Sequence, residues 1–334
     1  MFETTPQESA AERLLTLALG TAHTQAVAAA ARLGLADHLA DGPLSVTRLA
    51  DLADADAGAL ARLAETLVAL GVLRDTGDGR VECTETGELL RSGTAHSVRH
   101  YVTMMGSAWL TGGWPGLTDS VRSGAPAFES AQGMPYYAYV RRHPEAEEIL
   151  QQGLSDISRH EADAFGAAVD VSGHATVADI GGGRGSLLAE LLRRSPGTRG
   201  VLFDLPEVVR HAGRELAGPL RARVRVVAGD FLTDPLPAAD LYVLKRVLMD
   251  QDDARALTLL GNVRAAAVPG ARVLIADPPA DTRYGRLLDL HMLNIHGSGL
   301  RSAAQLSALL EKAGFRAVRQ LPVGGTLRLL EAEA

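Results

Sequence analysis

Three glycines and three aspartates stand at spacings that could hold a nucleoside. Val177-Ala-Asp-Ile-Gly-Gly-Gly-Arg-Gly185 reads as a buried strand breaking into a glycine turn, and Ser186-Leu-Leu-Ala-Glu-Leu-Leu192 then opens a helix. Glycines suit that turn because its backbone must take positive φ and approach a ligand closely. The pattern is G-x-G-x-G at Gly181, Gly183 and Gly185, and the third slot of the dinucleotide fingerprint falls on Ser186. A second apolar run, Gly200-Val-Leu-Phe203, ends on Asp204, about 20 residues past the glycines, where an acid can accept both hydroxyls of a ribose. A third run, Val224-Arg-Val-Val227, ends in Gly229-Asp-Phe231, placing Asp230 to reach an exocyclic amine and Phe231 to cover an adenine ring. Singly, each acid is equally an ordinary turn or cap residue. On successive strand ends after a glycine turn, they point to an adenosine site.

These residues need a sheet to align them. After a helical stretch near 144–169, strands are expected near 177–180, 200–203, 224–227, 240–244 and 271–276, alternating with helices as in a doubly wound parallel sheet. The segments 315–322 and 326–330, parted by Gly324-Gly325, predict a closing hairpin with an antiparallel last strand. Before the sheet, leucines recur at three and four from Ala10 to Leu90, and Gly77-Asp-Gly79 marks a small hairpin, together a winged-helix outline. Three regions are therefore expected: a mainly α winged-helix-like dimerisation domain at 1–100, a helical linker and substrate-pocket segment at 101–165, and the cofactor domain at 166–334. The middle segment holds seven of the chain's 14 aromatics if Tyr101 is included, from Tyr101 through Trp109 and Trp114 to Tyr139, with Met104, Met105 and Met134. Such crowding suits either a pocket for a flat small molecule or a core stripe joining the two halves.

Composition narrows the class. The net charge is −7, and the stretch from Ser45 to Leu90 carries four arginines, no lysine and nine acids, the wrong sign for gripping nucleic acid. No apolar run is long enough to span a bilayer and no leader pattern follows Met1, so a cytoplasmic protein without a membrane partner is expected. The single cysteine, Cys83, allows no internal disulfide and no cysteine metal cluster. Asp289, His291 and His296 lack a fourth ligand for a metal, so none is expected.

The ordered series resembles the small-molecule O-methyltransferases that use S-adenosyl-L-methionine, the group of plant caffeate-type enzymes and bacterial natural-product tailoring enzymes. It covers nearly the whole chain: the winged-helix module, Trp114-Pro-Gly-Leu117 through Phe128, Val177 to Gly185, Phe203-Asp-Leu-Pro206, Gly229-Asp-Phe231 and Tyr242-Val-Leu-Lys-Arg-Val-Leu248. The resemblance implies a Rossmann-like cofactor domain with a seven-stranded sheet, and a homodimer formed through the N-terminal domain. It implies that Asp179, Gly181, Gly183, Asp204, Leu205, Asp230, Phe231 and Lys245 hold the cofactor. It further implies a small aromatic or polyketide-like substrate lying against Tyr101, Met105, Trp109, Leu154, Met292 and His296.

The catalytic positions depart from that family. Its members carry a His-Asp pair after the fourth sheet strand, with the histidine as general base, and here Met249-Asp250 stands in its place. The acids that orient the base correspond to Asp277 and Leu300. Three explanations compete: alignment of an already nucleophilic acceptor suffices for methyl transfer; another group serves as base, His296 in the loop facing the pocket first and Asp250 second; or the cofactor is kept without methyl transfer, as in relatives that act as hydroxylases, decarboxylases or ring-forming catalysts.

Overall fold

The computed structural model describes residues 9–213 and 215–334, which form two compact units, 1–108 and 109–334. The expected segment 101–165 is thus divided between them, with Trp109 the first residue of the second unit.

The first unit opens with a helix, Ala10–Ala18, started by a reciprocal capping box between Ser9 and Glu12. Leu14, Leu15 and Leu17 are all more than 60% exposed on it. Helices Val46–Leu52 and Ala57–Ala69 pack around Leu49, Leu60 and Leu67, and strands β1 (Leu44–Ser45), β2 (Leu73–Asp75) and β3 (Arg80–Cys83) form an antiparallel sheet in the order β1-β3-β2. The turn between β2 and β3 has Gly77 and Gly79 at positive φ, with Asp75 accepting from the Gly77 N–H at 2.8 Å. This is the winged-helix outline with its wing.

In the second unit, strands β4 (Thr176–Ile180), β5 (Arg199–Asp204), β6 (Val224–Ala228), β7 (Leu241–Lys245), β8 (Arg272–Asp277), β9 (Arg316–Leu321) and β10 (Arg328–Glu333) make one sheet in the order β6-β5-β4-β7-β8-β10-β9. The pairings from β6 to β8 are parallel, and β10 runs antiparallel to both its neighbours. Alternate residues serve two cores, as the period of two demands: Ala178, Phe203, Tyr242 and Ile275 on one face, Val177, Leu202, Val243 and Leu274 on the other.

The chain moves outward from β4 through β5 to β6, then returns to β7 on the opposite side of β4. That reversal opens a crevice beyond the carboxyl ends of β4 and β7. Ile180 pairs with Phe203 and Asp179 with both Leu202 and Val243, so Gly181, Asp204 and Lys245 leave the sheet along one edge.

Candidate active site

The cradle is built largely from backbone. Gly181, Gly183 and Gly185 all have positive φ, and Gly185 is the residue preceding the helix Ser186–Arg194. A Cβ on Gly181 would lie 2.8 Å from Val247 Cγ2, whereas one on Gly183 would meet nothing within 4 Å. Gly181 therefore packs against the β7 end, and Gly183 faces open space. Asp204 accepts from the Gly183 N–H at 2.8 Å with one carboxylate oxygen and from the Leu205 N–H at 2.7 Å with the other. Its carboxyl is pushed up by burial against these two donors. Asp230 accepts from the Leu232 N–H at 2.9 Å, and the Phe231 ring comes 3.8 Å from the place a Gly181 Cβ would occupy. Beneath the turn, Asp179 is buried with one carboxylate oxygen unpartnered, and burial raises its pKa to about 7.

Lys245 stands beside this cradle with its ammonium already engaged. It donates to Ser158 Oγ at 2.9 Å and to Glu161 Oε2 at 3.2 Å, both on the helix Pro144–Ala168. Arg246, at φ 57°, donates to Glu161 Oε1 at 2.6 Å. Burial alone would raise the Glu161 carboxyl, but Arg246 and Lys245 overcome it and hold it at about 2. Burial depresses Lys245 in turn, opposed by Glu161. This knot fixes the backbone at the end of β7, where Val247 meets Gly181.

Across the crevice lies a group of side chains drawn from distant segments. Met249 is buried in the single turn Leu248–Asp250, and its carbonyl accepts from Ser298 Oγ at 2.8 Å. Arg301 clamps that turn, donating to the carbonyls of Leu248 and Gln251 at 2.7 Å each. Asp250 accepts from the Tyr137 hydroxyl at 2.6 Å, and its other oxygen lies 4.0 Å from His296 Nε2. The His296 ring stacks on Tyr137, with centroids 5.1 Å apart and planes 28° from parallel, and meets Tyr136 edge-on at 4.8 Å. Burial lowers the imidazole pKa and so favours the neutral ring, opposed by Asp250. Asp277 is buried with one oxygen unpartnered, and burial followed by the charge of Asp250 raises it to about 7.

The expected residues fall into place unevenly. His296 is the last residue of the helix Arg283–His296, not part of a loop: Gly297, at φ 68°, ends the helix one position later. His296 and Asp250 are brought together, while Met249 contributes its backbone and an apolar side chain. Trp109 stacks on Tyr139 at 5.9 Å, and Met292 is buried on the same helix as His296. Leu154 is 40% exposed on the helix Pro144–Ala168. Tyr101 and Met105 belong to the first unit, on the helix Arg99–Met105. His291 stacks on Trp114, and burial lowers its pKa to about 4; Asp289 accepts from the Leu300 N–H at 2.6 Å. Sequence reasoning did not single out Tyr137, Ser158, Glu161 or Arg301. Tyr137 was visible only as one of the crowded aromatics, and Arg301 only as the residue after Leu300.

Strand order, glycine turn and the acids at adjoining strand ends define a Rossmann-like methyltransferase domain. Residues 114–316 match the O-methyltransferase domain and residues 15–93 the O-methyltransferase dimerisation domain. The chain belongs to this family and is an enzyme of the S-adenosylmethionine-dependent methyltransferase class. It is 36% identical over 324 residues to a phenazine O-methyltransferase of Lysobacter antibioticus, covering 96% of this chain and 95% of that one. It is also 36% identical to an 8-amino-8-demethylriboflavin N,N-dimethyltransferase of Streptomyces davaonensis, covering 98% and 96%. Among solved structures, a methyltransferase of calicheamicin biosynthesis in its S-adenosylhomocysteine-bound form superimposes with a TM-score of 0.87, at 33% identity and covering 98% and 99%.

Proposed function

We propose that this protein transfers the methyl group of S-adenosylmethionine to a hydroxyl of a small aromatic natural-product intermediate, with His296 receiving the acceptor's proton. The observation that carries this reading is the gathering of Tyr137 and His296 around Asp250, which follows β7, the strand paired with β4 beside the Gly181–Asp204 cradle.

The residues of the cradle fit the cofactor. Gly183 leaves room at the turn, Asp204 is held by two backbone donors with lone pairs to spare for ribose hydroxyls, and Phe231 beside Gly181 supplies an apolar cover for adenine next to Asp230. Leu205 and Lys245 complete the surround, Lys245 through the structure it braces more than through a free charge. When bound, the cofactor supplies an activated methyl on a sulfonium. Held there, it would supply that methyl to the acceptor oxygen and leave as the neutral thioether, and the imidazole of His296 would take the hydroxyl proton. With Nε2 turned toward Asp250, the ring's other nitrogen is left to take it. Trp109, Tyr136 and Tyr139 pack on one another as an aromatic cluster against which an aromatic acceptor is proposed to lie. Leu154 and Met292 complete the proposed substrate set within the second unit. The relatives' phenazine and flavin substrates support this class. The dimerisation domain and the exposed leucines of Ala10–Ala18 support a homodimer.

Incubation with S-adenosylmethionine and a panel of hydroxylated phenazines and other phenols, followed by mass spectrometry, tests the reading. A methylated product with stoichiometric S-adenosylhomocysteine is expected. Conversion of an acceptor without S-adenosylhomocysteine would overturn it.

A further inference from the structure

We infer that Tyr137 is a positioning residue: its hydroxyl occupies one oxygen of Asp250 and its ring braces His296, so that the free oxygen of Asp250 faces Nε2. The inference rests on the reading of His296 as the proton acceptor and extends it to a residue outside the catalytic pattern.

Geometry supports it from two directions. The hydrogen bond of 2.6 Å ties Asp250 to the helix Tyr136–Arg142, while the 28° stack ties the imidazole to the same side chain. One residue thus holds both members of the pair. A carboxylate with both oxygens free would rotate toward solvent or toward whichever donor was nearest; saturating one oxygen removes that freedom, as the orienting acid does in other base-and-carboxylate pairs. Tyr137 is 39% exposed, yet the Asp250 carboxylate that accepts its hydrogen bond favours the protonated phenol, and it remains a donor throughout the working range.

The groups acting on His296 are Asp250 from the β7 turn, Arg255 from the helix Asp253–Ala266, Tyr136 and Tyr137 from their helix, and His291 from its own. Asp277 acts on Asp250 from the end of β8. Of these, Tyr137 alone both hydrogen-bonds Asp250 and stacks on the imidazole. Its loss frees both oxygens of Asp250 to turn away, so less of that charge stays against Nε2 and imidazolium becomes harder to form.

The test is the titration of His296 by NMR in the full-length protein with ring-15N-labelled histidine, the signal assigned by its disappearance in His296→Gln. Tyr137→Phe keeps the stack and removes the hydroxyl; the expected result is a downward shift of the His296 midpoint by roughly half a unit or more. Asp250→Asn is the second variant and should move the midpoint downward. An unmoved or raised midpoint in folded Tyr137→Phe overturns the inference; an unmoved midpoint in Asp250→Asn does so too, whether or not Tyr137→Phe folds. Failure of the underlying reading is distinct: His296→Ala would then leave the methyl-transfer rate unchanged, whatever the titration shows.

Discussion

The two sides of the crevice are made differently. On the cofactor side, the defining atoms are backbone: three positive-φ glycines, the N–H groups of Gly183 and Leu205, and strand ends held level by the sheet. On the acceptor side, they are side chains from three segments more than a hundred or some tens of residues apart, Tyr137, Asp250 and His296, with Arg301 clamping the turn between. A backbone cradle leaves its mark in sequence as glycine and spacing. A side-chain cluster can be rebuilt from different residues while the fold stays the same. The contrast explains why a glycine turn is recognised from sequence more readily than a side-chain cluster.

The sharpest way to break that contrast is to remove the side-chain centre. His296→Ala should lower kcat by on the order of 10²–10⁴-fold while leaving S-adenosylmethionine affinity unchanged, as single-turnover kinetics and calorimetry would separate. A slight change in kcat would mean that the acceptor needs alignment only. Next comes the knot that joins both sides. Glu161→Gln leaves Lys245 and Arg246 without their shared anion and should cost about 3 kcal/mol by denaturant unfolding. The pH dependence has a definite sign. Glu161 is held at about 2 when folded, against about 4.5 unfolded, so its contribution is complete above pH 4.5 and is lost as pH falls toward 2. The gap between parent and variant should narrow over that window; a constant gap would assign the cost to packing.

The same contrast governs what the sequence could disclose. The five parallel strands fall within a residue or two of their expected positions, because apolar runs of strand length bounded by glycine and aspartate have few other readings. The closing hairpin followed from Gly324-Gly325, and β10 is its antiparallel member. The acceptor side was less legible. His296 was expected in a loop because Gly297-Ser-Gly299 follows it, yet a helix can run to the residue before its glycine cap, and this one does. Tyr137 was one aromatic among seven, since nothing local marks a partner 113 positions away. Lys245 was legible within the Tyr242–Leu248 motif, but its partner Glu161 lies on a helix whose many acids look alike in sequence. The boundary at Ala108 and Trp109 falls inside the aromatic-rich segment, where composition does not change.

The cradle itself yields the two smaller effects. Asp204→Ala should weaken S-adenosylmethionine binding by about 2 kcal/mol, on the order of 30-fold by calorimetry, and undiminished affinity would contradict its placement at the ribose. Asp179→Asn should act in the opposite direction on the free protein. Its carboxyl is buried with an unpartnered oxygen and is raised to about 7 when folded, against about 3.8 unfolded. The parent therefore carries above pH 7 a buried charge that Lys245 only partly offsets, a penalty that fades as pH falls from 7 toward 4. Replacing the acid by its neutral isostere should raise the melting temperature at pH 8 by the equivalent of about 1 kcal/mol, and the gain should shrink in acid. That outcome would show a turn whose shape is kept by glycine backbone without the charge beneath it. A lower melting temperature at pH 8 would show instead that Asp179 braces the turn, and that the cofactor side depends on its side chains as much as the acceptor side does.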